Sequence, residues 1–129
     1  MSSFLTYRVG RLLFALPIGI FGIIHFLTGA DTAGLVPDFI PGDVVWVYLT
    51  GTALLGASIC IVAQIRIRLV SLLLALMLLI FALTIHLPEV LAGTQNGLPN
   101  LLKDLSLAGG ALFLAALYED VDNGDSEFE

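Results

Sequence analysis

Charged residues are scarce in this sequence. Asp, Glu, Lys and Arg make up 12% of its 129 residues, and apolar residues make up 58%. Soluble proteins average roughly 25% and 45–50%. A water-soluble domain of this length has too much surface for its volume to hide that much hydrocarbon, so an ordinary soluble globule is excluded, as is a disordered chain. The length also excludes a multi-domain enzyme. Lys and Arg number only five, with no basic patch, so no nucleic acid partner is expected. A single cysteine, Cys60, leaves no internal disulfide framework and no CxxC. The two histidines form neither HxxxH nor ExxH, and no dedicated metal site is expected.

What is present is hydrocarbon in four blocks. Apolar spans run over about 10–27, 44–65, 68–87 and 101–118, each near the ~20 residues that carry a helix across a bilayer. They are too long for barrel strands and lack a period-two pattern, so helices are the expected spanning form. The expected fold is an all-α membrane protein, a four-transmembrane-helix antiparallel bundle occupying 1–118. Residues 119–129 are expected to form a disordered cytoplasmic tail, because six of the eleven acids (Glu119, Asp120, Asp122, Asp125, Glu127, Glu129) fall there. Arg8 and Arg11 before the first span resemble a signal-peptide start, but three further spans favour an uncleaved anchor. With alternating spans, Arg8, Arg11, Arg66 and Arg68 share one side and only Lys103 lies opposite, so both termini are expected in the cytoplasm. The expected location is a multi-pass position in a prokaryotic plasma membrane.

Small residues at three- and four-residue steps mark the expected packing faces. They are Ala15, Gly19, Gly22 and Gly29 on the first span, and Thr52, Ala53, Gly56 and Ala57 on the second. The third offers Ser71, Ala75 and Ala82, and the fourth Ala108, Ala111 and Ala115. Pro17 is expected to kink the first span, and Pro88 to stop or kink the third. Between the first two spans, Gly34, Pro37, Pro41 and Gly42 predict a folded interfacial loop anchored by Phe39, Ile40 and Trp46.

The few polar residues continue these faces. His25 follows Gly22 by three, His86 follows Ala82 by four and precedes Glu89 by three, and Asp104 precedes Ala108 by four. Alternation gathers all four at the outer helix ends. An ionisable residue near membrane depth usually faces a bundle interior or a watery cavity. His25 and His86 are therefore the candidate catalytic groups, and His25, His86, Glu89 and Asp104 the candidate ligand-binding set. A histidine beside a carboxylate suits proton exchange, and such a group can hydrogen-bond a membrane quinone, the cofactor considered. The competing structural reading makes Glu89 and Asp104 hydrated interfacial acids, with Asp104 a favourable charge in the first turn of the fourth helix. Cys60 reads as a packed core residue.

Gly22-Ile23-Ile24-His25-Phe26, then Val36-Pro37-Asp38-Phe39-Ile40-Pro41, then Gly51 resemble the DoxX-like family of small four-helix integral membrane proteins. Lys103-Asp104-Leu105-Ser106-Leu107-Ala108-Gly109-Gly110 is similar to that family's entry into its last helix, and the likeness extends over about Tyr7 to Leu117. Relatives often carry a glutamate shortly after the glycine of the second helix, where this chain has Leu54. The resemblance implies a place near quinone-linked redox, such as thiosulfate:quinone oxidoreduction or membrane complexes handling oxidative stress. Three functions follow as expectations. The first is a membrane subunit assisting a redox partner protein, the second a quinone-reactive oxidoreductase acting on a small sulfur or other donor. The third is a carrier of a small lipophilic molecule. The lipid bilayer and further copies of the chain are the other expected partners.

Overall fold

The computed structural model describes the backbone of residues 2–125 and the side chains of 2–118. The described residues are helical and contain no strand. The chain divides into two compact units, 1–65 and 66–129.

In the first unit, helix α1 (Ser3–Leu27) packs against helix α3 (Val44–Val62). Hydropathy places the first span near residue 10, yet the helix starts seven residues earlier. Ser2 is extended and its hydroxyl accepts the Leu5 N–H at 3.3 Å, an N-cap that satisfies one of the orphan amides of the first turn. One turn further in, the Arg8 guanidinium lies over the Phe4 ring and that of Arg11 over Tyr7, both four residues apart. The helix runs continuously through Pro17.

The α1 stripe of Ala15, Gly19, Gly22 and Gly29 is buried as its spacing predicts. Of the face expected on α3, only Ala57 is buried. Thr52, Ala53 and Gly56 are exposed, and the buried positions are Val47, Gly51, Leu54, Ala57, Ser58 and Ile61. The helices come closest where Gly22 meets Gly51: a Cβ on Gly22 would lie 2.8 Å from the Gly51 carbonyl oxygen, and one on Gly51 2.9 Å from that of Gly22. Four residues before Gly19, the Ala15 carbonyl accepts a hydrogen bond from the Ser58 hydroxyl at 2.7 Å. The connection between them holds two short helical turns, α2 (Gly29–Thr32) and a 3₁₀ turn (Ala33–Leu35). Further along, the Trp46 indole N–H donates to the Pro41 carbonyl at 2.7 Å.

The end of α3 is closed by its own chain and by α1. Gln64 adopts φ 61°, the Ile65 N–H reaches back to the Cys60 carbonyl, and the Gln64 N–H reaches Ile61. This is the Schellman arrangement with glutamine in the left-handed position that usually holds glycine. The Arg11 Nη1 then donates to the Ile61 and Val62 carbonyls at 3.2 and 3.3 Å. Arg11 is only 7% exposed, so this basic residue serves as a buried cap on the negative end of a helix dipole.

In the second unit, helix α4 (Ile67–Phe81) packs against helix α6 (Gly97–Asp125). Ser71, Ala75 and Ala82 are buried, as are Ala108, Ala111 and Ala115, so both expected small-residue faces are packed. Pro88 does not stop the third span. The helix widens into a π-turn (Ala82–His86) and continues as α5 (Leu87–Leu91), ending at a second Schellman cap with Gly93 at φ 76°. Helix α6 extends past Tyr118 through 119–125, the first part of the segment expected to be disordered. Between Gly110 and Gly124 there is no glycine or proline, and each residue added to an existing helix gains a hydrogen bond without a new nucleation cost. Positions 126–129, the rest of that expected tail, lie outside the described residues.

Candidate functional site: a histidine held between two carboxylates

The local cause of the site is a proline within a helix. Pro88 has no N–H to donate, and in an uninterrupted α-helix its ring would collide with the Thr84 carbonyl. The chain avoids the collision by widening the preceding turn, so that the Leu87 N–H donates to the Ala82 carbonyl, five residues back. The Thr84 hydroxyl donates to the Ile80 carbonyl at 2.7 Å.

His86 closes this π-turn with a contact on each ring nitrogen. Its Nδ1 lies 3.0 Å from Glu89 Oε2, and its Nε2 lies 3.1 Å from Asp104 Oδ2 on α6. The other Asp104 oxygen is 3.6 Å from Lys103 Nζ. The three side chains are largely withdrawn from the surface, at 12% exposure for His86, 21% for Glu89 and 5% for Asp104. Asp104 therefore does not act as a first-turn charge. With α6 beginning at Gly97 it sits two turns in, beyond the reach of the helix-start effect, and its carboxylate is committed to His86 and Lys103.

Counting hydrogens shows what the cluster can do. A neutral imidazole donates from one nitrogen only, and carboxylates only accept. Both contacts are hydrogen bonds only if a second hydrogen is present, either on the ring as imidazolium or on one carboxyl as the acid. The proton thus belongs to the group of three: passing it between them keeps both hydrogen bonds, whereas giving it up changes the cluster's charge and leaves one contact without a hydrogen. Imidazolium, two carboxylates and Lys103 together have a formal charge of zero. The ring nitrogens point away from each other, so one cation cannot bond to both carboxylates and the ring. Among the described residues no group of three His, Cys, Asp or Glu side chains is placed to hold a metal ion.

The sequence-derived set divides between the two units. His86, Glu89 and Asp104 come together in the second. His25 lies half-buried in the first, where its Nδ1 donates to the Phe21 carbonyl at 2.7 Å, one helical turn back. Two features escaped the sequence reading. Lys103 joins the site through Asp104, which its adjacency in sequence could have signalled. The π-turn leaves only Pro88 as its signal, and Pro88 by itself reads as a stop or a kink.

Among the described residues, four helical stretches are long and apolar enough to cross a membrane: Ser3–Leu27, Val44–Val62, Ile67–Leu91 and Gly97–Tyr118. These stretches and the apolar side chains they expose define the class, a multi-pass integral membrane protein with lipid as its surroundings. Comparison with protein-family models, with curated proteins and with solved structures gives no match.

Proposed function

We propose that this chain is a membrane subunit of a quinone-linked redox system, in which His86, Glu89 and Asp104 hold a proton that is exchanged as a quinone turns over. The observation that carries the reading is the double contact of His86, one carboxylate on each ring nitrogen. Reduction of a quinone to a quinol takes two electrons and two protons, and a proton shared among three groups inside a helix pair is a ready source or acceptor for one of them. The sequence has no flavin, haem or iron–sulfur ligand pattern, so the electrons come through a redox partner. The DoxX-like resemblance points the same way. The topology belonging to this reading is an antiparallel four-helix bundle in a prokaryotic plasma membrane, both termini cytoplasmic. It rests on the grouping of Arg8, Arg11, Arg66 and Arg68 against Lys103.

The test is quinone reduction by native membranes carrying either the natural chain or His86→Gln at equal abundance. Loss of one ionisable group from the proton route should slow proton-coupled reduction on the order of a hundredfold, the usual scale for a positioned acid or base. A rate unchanged by H86Q would contradict the reading. So would recovery of the chain without a redox protein from gently solubilised membranes that keep other complexes intact.

A further inference from the structure

The buried face of α4 has a measurable phase. Ile67, Ser71, Leu74, Ala75, Leu78 and Ala82 are its buried positions, at steps of three and four. Continued at about 100° per residue, an uninterrupted α-helix would carry His86 about 70° away from the mid-line of that face. Glu89 would then lie closest to it, within about 10°. Once the π-turn absorbs one extra residue, everything after it rotates back by about 100°, which leaves His86 about 30° from the mid-line and Glu89 well to the side. This matches the contacts found: His86 Nε2 reaches across to Asp104 on α6, and Glu89 reaches back along its own helix to Nδ1.

We infer that Pro88 is the positioning residue of this site: by imposing the π-turn it selects His86 rather than Glu89 to face Asp104. Pro88 touches no reacting group in this role. It acts through register, removing the N–H and the space that an α-helical turn at Thr84 needs. The inference deepens the proton-holding reading and rests on it for its purpose, but the geometry it asserts can be tested separately.

Register gives a test that a merely stabilising proline would fail. The full chain, with its histidine rings labelled with ¹⁵N, is placed in lipid nanodiscs. Its two histidines give two ring systems, and His25→Gln assigns them. Asp104→Asn should shift the His86 ring nitrogens, marking the contact; an unmoved His86 would overturn the site itself and the proton reading with it. Pro88→Ala should relax the π-turn, so that the His86 resonances lose their dependence on Asp104, while those of His25 stay in place. Deleting lipid-exposed Leu83 from the P88A chain removes the extra residue, and should restore the natural register and the Asp104-dependent His86 signals. His86 signals unchanged in P88A, or altered in P88A and not restored by the deletion, would overturn the assignment of Pro88 and leave the His86–Asp104 contact standing.

Discussion

At the scale of single residues, two ionisable groups carry roles that composition alone does not reveal. Arg11 counts in the sequence as one more basic residue flanking a span, and that is how it bears on orientation. In the folded chain its guanidinium is buried against the last carbonyls of α3, which lie beneath it and take their hydrogen bonds from it. Arg11→Met should therefore cost on the order of 2 kcal/mol, the scale of a lost charge-assisted hydrogen bond with acceptors left bare. Arg8→Met, at an exposed site, should cost far less. Thermal unfolding of the two variants in the same detergent checks the difference, and equal midpoints would remove the capping role. The site itself was partly legible at this scale. Steps of three and four put His86, Glu89 and Asp104 on faces that continue the packed alanines, and these three do meet. The share of each contact was not legible, because it depends on a hydrogen-bond shift of one residue whose signal in the sequence, Pro88, equally fits a helix stop or kink.

At the scale of elements, the helices were readable from hydropathy and their packing faces only in part. On α1, α4 and α6 the stripes of small residues read from the sequence are buried, although Gly10, Ser106 and Ala116 lie outside them and are exposed. Helix α3 carries no charged residue, and its small and hydroxyl residues lie on more than one side, so they do not fix its phase. The sequence points to Thr52, Ala53, Gly56 and Ala57, of which only Ala57 is buried, and contact with α1 is made through Gly51 and Ser58. The two glycines of α3 therefore respond oppositely to the same substitution. Gly51→Ala sets a methyl group against the Gly22 backbone, which has no flexible end to yield, and should cost roughly 1–3 kcal/mol. Gly56→Ala has nothing within 4 Å to meet, and should gain up to about 1 kcal/mol of helix propensity. Chemical unfolding in mixed micelles measures both, and a destabilised G56A beside a neutral G51A would reverse the assigned face. The helix starts and ends were the least legible part. Hydropathy marks where hydrocarbon begins, whereas Ser2, the Schellman turns at Gln64 and Gly93, and the extension of α6 to Asp125 follow from backbone hydrogen bonding.

At the scale of the whole molecule, the solvent explains the composition. Leu13, Leu91 and Phe113 expose 70%, 81% and 77% of their surfaces, an arrangement that costs little only where the surroundings are hydrocarbon. The same medium makes the few buried ionisable groups conspicuous, since each needs partners within the chain: Arg11 finds carbonyls, and His86 finds two carboxylates. Four crossings in alternation are the claim on which the proposed orientation depends. The most direct measurement is labelling of single cysteines in intact cells by a reagent that does not cross membranes, in a Cys60→Ser background. Phe39→Cys, in the exposed loop after the first span, should react in intact cells, and Gln64→Cys, after the second, only once the membrane is opened. Reaction of both from the outside would contradict the alternation, and with it the orientation proposed for the chain.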